Sequence, residues 1–275
     1  QDIQPDISIT LTREQLGEKK WVKGIEFKPG SDIVHHIVGY SLEPGQVDDG
    51  INRTNFGQIG SGTDPQSYDE GYGLPLEPES TIVLSLHYHK EAGPGTGVFD
   101  QSQVAVWFHD KPVEHELESA PIAHRDFEIP PGVNRWRVGG QRTWEDDFVL
   151  IEMVPHTHLR GTAAKYTAMY PNGTSEVLLD VPAYDYNWQT QYTYQQYRTM
   201  PAGTRIEWEV WFDNSAETAA ERNFNSERAV KFGLPTTDEM DLGWVTWCYA
   251  EEGKQPEKHM RGGRPNLEST EEESD

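Results

Sequence analysis

Ten histidines are spread along the 275 residues, and six of them form three close pairs: His35-His36, His87-Tyr88-His89 and His156-Thr157-His158. Each pair ends an apolar run of strand character. Neutral imidazole is a ligand for Zn, Cu, Fe or Ni. In a β-strand residues i and i+2 share a face, so His156 and His158 can converge on one ion while Thr157 turns away. His87 and His89 have the same spacing. His35 and His36 are adjacent, and reach a common ion only where the strand twists, bulges or ends. A single histidine is most often a surface or satisfied core residue, but three such pairs point to metal binding. His109, His115, His124 and His259 stand outside the pairs.

The rest of the donor inventory is sparse. The zinc-protease pattern His-Glu-x-x-His is absent. The lone cysteine, Cys248, excludes an intramolecular disulfide and a thiolate cluster. A thioether ligand would point to copper, because it stabilises Cu(I). Met240, in Thr236-Thr237-Asp238-Glu239-Met240, lies just before the aromatic run Trp244–Tyr249. On its own, a methionine there is more often core than ligand.

The elements that must carry these residues read as strands. Helical periodicity is nearly absent. Strand-like runs recur at Trp21–Phe27, Ile33–Tyr40, Thr81–Tyr88, Val104–Phe108, Phe148–Val154, Ala163–Tyr170, Ile206–Phe212 and Trp244–Tyr249. Alternation in the seventh run puts Ile206, Trp208, Val210 and Phe212 on one face. Turn formers separate the runs: Lys28-Pro-Gly, Glu43-Pro-Gly, Tyr170-Pro-Asn-Gly and Met200-Pro-Ala-Gly. Many short strands with such punctuation predict an all-β, antiparallel sandwich or jelly roll. Gly45–Ser80 reads as a long polar loop, and the polar stretch Glu114–Asn134 as a domain boundary.

Hydrophobic residues are only 35% of the chain, yet nine Trp, twelve Tyr and nine Phe give it a core. The net charge of −23 argues against nucleic-acid binding and against adsorption to an anionic membrane. No run of about 18 apolar residues predicts a membrane insertion. Asn52 and Asn172 open glycosylation sequons. Residues 251–275 hold eight acidic and four basic residues and read as a solvated, flexible tail.

Four motifs in order resemble the copper type II, ascorbate-dependent monooxygenases, the family of peptidylglycine alpha-hydroxylating monooxygenase and dopamine beta-monooxygenase. VHHIVGY carries His35 and His36, VLSLHYH carries His87, PHTHLRG carries His156 and His158, and TTDEM carries Met240. The match spans roughly residues 20–250. The flanking LLDVPAYDYNWQ, PAGTRIEWEVWFDNS and LHYHKEAG look most like the bacterial branch. The resemblance implies two antiparallel jelly-roll/β-sandwich domains packed in tandem, residues 1–122 and a catalytic 123–250, each holding one copper. It implies His35, His36 and His87 as ligands of the first copper and His156, His158 and Met240 as ligands of the second. It selects His87 over His89, which spacing alone does not, and leaves His89 a second-layer or surface residue. The implied reaction is hydroxylation of a C–H bond of a small organic substrate with O2 and ascorbate or another reductant. The second site meets O2 and substrate, and the first supplies an electron. A secreted or periplasmic location is expected, with a leader already removed.

Departures from the family pattern bear on substrate. Peptide-hydroxylating members carry an arginine two residues before the His-x-His pair, an asparagine two after the methionine and a tyrosine four after it. Here those positions are Val154, Leu242 and Trp244. A C-terminal glycine peptide is therefore disfavoured, and an apolar or aromatic substrate expected. Arg160 is a cation near the second site that could hold an anion or pair with an acidic neighbour. Two other readings stand beside the enzyme. One is a non-catalytic copper-binding or electron-transfer protein on the same scaffold. The other is a metal-free β-sandwich that binds carbohydrate through exposed Tyr184, Tyr186 and Trp188.

Overall fold

The computed structural model describes residues 2–50, 53–60, 65–90, 93, 95–254 and 270–271. The chain divides into two compact units, Gln1–Ala120 with Cys248–Pro256 and Pro121–Trp247 with Glu257–Asp275. The protein is all-β. Among the described residues the helices are two short ones, Arg13–Leu16 and Ala216–Arg222, each capped at its N-terminus by a hydroxyl side chain, Thr12 and Ser215. Neither is long or apolar enough to cross a membrane.

In the first unit, one sheet runs from the N-terminal strands Asp2–Ile3 and Asp6–Thr10 through Thr81–His89 and Val34–Leu42 to Thr54–Ile59. The other centres on Lys20–Lys28, flanked by Tyr72–Leu76, Gln66–Ser67 and Gln103–Phe108. Pairing is antiparallel except for the short parallel bridge of His115–Glu116 to Tyr72–Gly73. The sheets pack closely face to face. A Cβ on Gly39, in the first, would lie 2.7 Å from the Phe27 ring of the second.

The second unit repeats the scheme with larger side chains. One sheet has the order Glu118–Ala123, Leu242–Tyr249, Phe148–His156, Tyr192–Met200. The other runs Ser175–Val181, Gly161–Met169, Arg205–Phe212, Trp136–Thr143, Thr270–Glu271. Ile206, Trp208, Val210 and Phe212 are all fully buried, as alternation predicts. The Trp208 ring lies so close over Gly243 of the opposite sheet that a Cβ there would come within 2.4 Å of it. The Tyr166 hydroxyl donates to the Trp244 carbonyl across the same gap, so the core is tied as well as filled. Trp144 stacks on Phe148 at 4.6 Å and meets Trp247 edge-on at 5.7 Å. Such aromatic pairs add about 0.5–1.5 kcal/mol each beyond their buried area.

One sequence expectation is corrected. Gly45–Ser80 is not one loop: it holds Thr54–Ile59 and Tyr72–Leu76, whose residues help close the first core. The polar stretch Glu114–Asn134 does hold the division between the two units, which falls between Ala120 and Pro121 within the strand Glu118–Ala123, of which all but Glu118 are buried. The expected tail 251–275 and the Asn52 sequon fall mainly outside the described residues. From the tail, residues 251–254 and the backbone pairing of Thr270–Glu271 to Trp136–Arg137 are described. Asn172 is exposed in a turn.

Candidate functional site

The first histidine group is made by two neighbouring antiparallel strands, Val34–Leu42 and Thr81–His89. His36 sits directly opposite His87 in the register, and opposed residues hold their Cβ atoms about 4.5–5.5 Å apart. Between Val34 and His36 the register slips: two residues advance on one strand while the partner moves one, from Tyr88 to His87. His35 is the extra residue of this bulge. In a regular strand it would face away from His36, and the bulge turns it back. The result is a trio with ring centroids 4.9–5.3 Å apart and mutual tilts of 63–70°. One ring nitrogen from each of the three lies within 4.8 Å of the others. Nδ1 of His35 is 3.0 Å from Nδ1 of His36. Two nitrogens bound to one ion at ~2.0–2.1 Å, with an angle between ~90° and ~109°, sit about 2.9–3.4 Å apart. The spacing suits a shared cation. His89, two residues beyond His87, is exposed and outside the trio.

The second group belongs to the end of strand Phe148–His156 and the turn after it. His156 and His158 lie with ring centroids 5.5 Å apart and planes at 86°. Nδ1 of His156 is 2.7 Å from Oε1 of Gln189. The Gln189 amide is oriented by its own Nε2, which donates to the Tyr186 carbonyl at 3.1 Å. An amide oxygen only accepts, so Nδ1 carries the proton and Nε2 of the neutral ring keeps its lone pair. Burial lowers the His156 pKa, against the pull of Gln189, and favours that neutral form. Nδ1 of His158 donates likewise to the Asp238 carbonyl at 3.1 Å, which puts the lone pair of the neutral ring on Nε2. Outer hydrogen bonds of this type fix tautomer and ring orientation in metal sites.

The backbone of this turn is held from all sides. Tyr184 Oη accepts from Thr157 N at 3.1 Å and donates to Thr157 O at 3.3 Å. The fully buried Glu239 carboxylate accepts from His158 N at 2.8 Å and from Arg160 N at 2.7 Å. Arg222, in the last turn of helix Ala216–Arg222, donates from Nη1 to the carbonyls of Leu159 and Gly161. Gly161 is required by close approach, since a Cβ there would meet Thr157 Oγ1 at 1.8 Å. Met240 follows Glu239 directly and lies two residues from the Asp238 that holds His158. It is buried at the entrance to strand Leu242–Tyr249. The structure thus joins His35, His36 and His87, and joins His156 with His158. Met240 is carried by the segment that clamps His158.

Arg160 proves to be a structural residue. Its side chain is fully buried, 3.7 Å from Glu239. It donates to Asn214 Oδ1 at 2.8 Å and to the carbonyls of Thr237 and Asn225, and covers the Phe224 ring at 4.1 Å. That guanidinium is committed to holding the Thr237–Met240 segment against the histidine turn and does not face an anionic ligand. Burial lowers its pKa, against the pull of Glu239. Tyr184 and Tyr186 are buried, which removes two of the three aromatics expected to be exposed; Trp188 remains 56% exposed. Val154, Leu242 and Trp244 are likewise buried in core strands. Sequence reasoning did not reach Gln189, Tyr184, Arg222 or Glu239 as members of the site. Glu239 lies inside TTDEM, and Tyr184 and Gln189 lie inside LLDVPAYDYNWQ; Arg222 falls in none of the motifs.

No family model matches this chain, and no curated protein matches it. Among solved structures, a chain of the T13 IBDV viral particle aligns over 95% of this chain and 71% of its own, at 10% identity and a TM-score of 0.28. A chain of the infectious bursal disease virus Gt strain aligns over 90% and 72%, at 12% identity and a TM-score of 0.19. Likenesses this slight carry no argument about function.

Proposed function

We propose that the protein is a copper-dependent monooxygenase of the ascorbate-dependent type, with one copper at His35, His36 and His87 and one at His156, His158 and Met240. The observation that carries the reading is the bulge-built trio, which brings three imidazoles from two strands to the spacing of ligands on a single ion. The second donor set fits as well: two imidazoles present Nε2 lone pairs because their Nδ1 atoms are engaged elsewhere, and a thioether follows on the clamping segment. Imidazole with thioether suits copper in both oxidation states. Copper, when bound, supplies the one-electron and O2 chemistry.

The overall reaction is R–H + O2 + 2 e⁻ + 2 H⁺ → R–OH + H2O, with ascorbate as the class of two-electron donor. The chain's own part is to hold ligands and exclude alternatives. Gln189 and Asp238 keep the His156 and His158 protons on Nδ1, away from the ligand side. Glu239, Arg160 and Arg222 fix the turn that aims both rings. Preorganisation of this kind avoids reorganisation during the chemical step.

The test is metal analysis of the purified protein after copper loading, together with oxygen uptake in the presence of ascorbate. About two coppers per chain and ascorbate-dependent uptake are expected. His156→Ala should stop turnover and leave one copper bound. Loading of one copper or none in the parent protein, or turnover unaffected by His156→Ala, would overturn the proposal.

A further inference from the structure

Met240 stands between two fully buried carboxylates, Glu239 and Asp241. They reach different parts of the second unit. Glu239 meets the histidine turn, through His158 N at 2.8 Å and Arg160 N at 2.7 Å. Its backbone is held as well, with N donating to Lys231 O at 3.2 Å and O accepting from Gly233 N at 3.0 Å. Asp241 turns to the core. Its Oδ1 accepts from Nε1 of Trp208, in strand Arg205–Phe212 of the facing sheet. Its Oδ2 accepts at 2.8 Å from N of His124, just past the neighbouring strand Glu118–Ala123. Trp208 is itself fully buried, with its ring 4.7 Å from that of Tyr166 and close over Gly243. Asp241 thereby ties the entrance of strand Leu242–Tyr249 to the facing sheet and to its neighbour.

Burying a carboxylate opposes folding, and an apolar residue would fill this part of the core without that penalty. What the carboxylate adds is a fixed position. Consecutive Cα atoms are ~3.8 Å apart, so anchors on Glu239 and Asp241 hold the Met240 backbone within one residue on either side. Methionine needs such placement more than histidine does. Its side chain is unbranched and flexible, and a thioether carries no N–H by which a neighbour could aim it, as Gln189 aims His156. Backbone placement is therefore the chain's means of holding the sulfur. Where that sulfur is held decides a redox property, because a thioether favours Cu(I) whereas imidazole serves copper more evenly.

We infer that Asp241 is a positioning residue for Met240, and that the anchor made by Trp208, Asp241 and His124 sets how strongly the second centre favours Cu(I) over Cu(II). The redox role rests on the copper reading of that centre; the anchoring of Met240 does not.

The anchoring is read by NMR on the full chain without metal. Methionine labelled with 13C at its methyl gives one signal for each of the five methionines, and Met240→Leu identifies that of Met240. Asp241→Asn keeps the side-chain shape but turns an amide donor toward one of the two N–H groups. Trp208→Phe removes the indole donor and leaves an aromatic ring in the core. In each variant, checked for folding by circular dichroism, the Met240 methyl should shift and gain mobility. A Met240 signal unmoved in both overturns the anchoring. The redox role is read on the copper-loaded chain, by chelator competition for Cu(I) and for Cu(II) at the centre that His156→Ala removes. Asp241→Asn should weaken Cu(I) about tenfold and Cu(II) less than about twofold. A tenfold loss confined to Cu(I) lowers the potential by about 59 mV. In the Met240→Leu background the same substitution should change neither affinity by more than about twofold, since its effect passes through the thioether. Equal weakening of both oxidation states, or an effect of full size in the Met240→Leu background, overturns the redox role. No copper at the second centre, or Met240→Leu without effect on Cu(I), overturns the copper reading and leaves the metal-free result standing.

Discussion

Replacing Gln189 by leucine removes the acceptor of the His156 Nδ1 proton while keeping side-chain bulk at a position only 9% exposed. The contact is short, at 2.7 Å, and Gln189 also donates to the Tyr186 carbonyl at 3.1 Å. Without the acceptor, His156 can move its proton to Nε2, the nitrogen turned toward the ligand side, and the ring is free to rotate. Loss of such an outer contact costs ~10–100-fold in metal affinity, or ~1.4–2.7 kcal/mol. Copper affinity measured by competition with a chelator should therefore fall by that factor at the second centre only. The first trio, which belongs to the other unit, is the internal control, and the two centres separate by their Cu(II) resonances. Gln189→Glu, which restores an acceptor and makes it anionic, should return affinity to the parent value or above. A loss under about threefold in Gln189→Leu, or an equal loss at both centres, would refute the assignment of Nδ1 as the proton-bearing nitrogen.

The remaining expectations concern the scaffold. Arg160→Met strands the buried Glu239 carboxylate and should lower unfolding free energy by ~3–5 kcal/mol in urea titration; a cost below ~1 kcal/mol would show the pair to be dispensable. Gly161→Ala should cost about 1–3 kcal/mol and weaken copper at the second centre, because Thr157 must move away from the new Cβ; unchanged stability would mean the turn is looser than its geometry. Asp48 makes a two-pronged contact with Arg53 that holds its pKa below the usual 3.8. A lowered folded-state pKa gives stability that is present above the unfolded value and lost as pH falls through the folded one. Asp48→Asn should therefore lower stability by up to ~1 kcal/mol at pH 7, with the gap closing as pH drops below 3.8. A gap that stays constant with pH in thermal unfolding would remove the ion pair as its cause.

The strands that were legible are the ones whose apolar residues alternate or run together between turn formers. All eight appear with ends within two residues of the expected ones. The strands that were missed hide their signal for identifiable reasons. Thr54–Ile59 buries Asn55 and Gln58 rather than aliphatic side chains, and Gly57 within it takes a positive φ of 101° with its N–H bonded to Asn55 Oδ1. Tyr72–Leu76 contains Pro75, and Glu118–Ala123 contains Pro121, a residue that usually marks an edge or a break. Ser175–Val181 is an outer strand with no fully buried residue, so it has no apolar periodicity to show. In each case polar or irregular residues are stabilised by partners distant in sequence, and no local pattern records that.

The histidines show the same division, and it separates the two centres physically. At the first, the Nδ1 atoms of His35 and His36 face each other. Nδ1 lies next to the ring carbon that joins the side chain, so its position is set largely by the backbone, and here by one bulge in the register against His87. The sequence could state that condition, since adjacent histidines cannot otherwise share a face. At the second, Nδ1 carries the proton and the lone pair is on Nε2, at the far end of each ring, where a small rotation displaces the donor most. That geometry needs a support for every ring, and Gln189 and Asp238 provide it from segments 33 and 80 residues away along the chain. Spacing within His156-Thr157-His158 fixes which residues are ligand candidates; only the folded contacts decide which nitrogen each one offers.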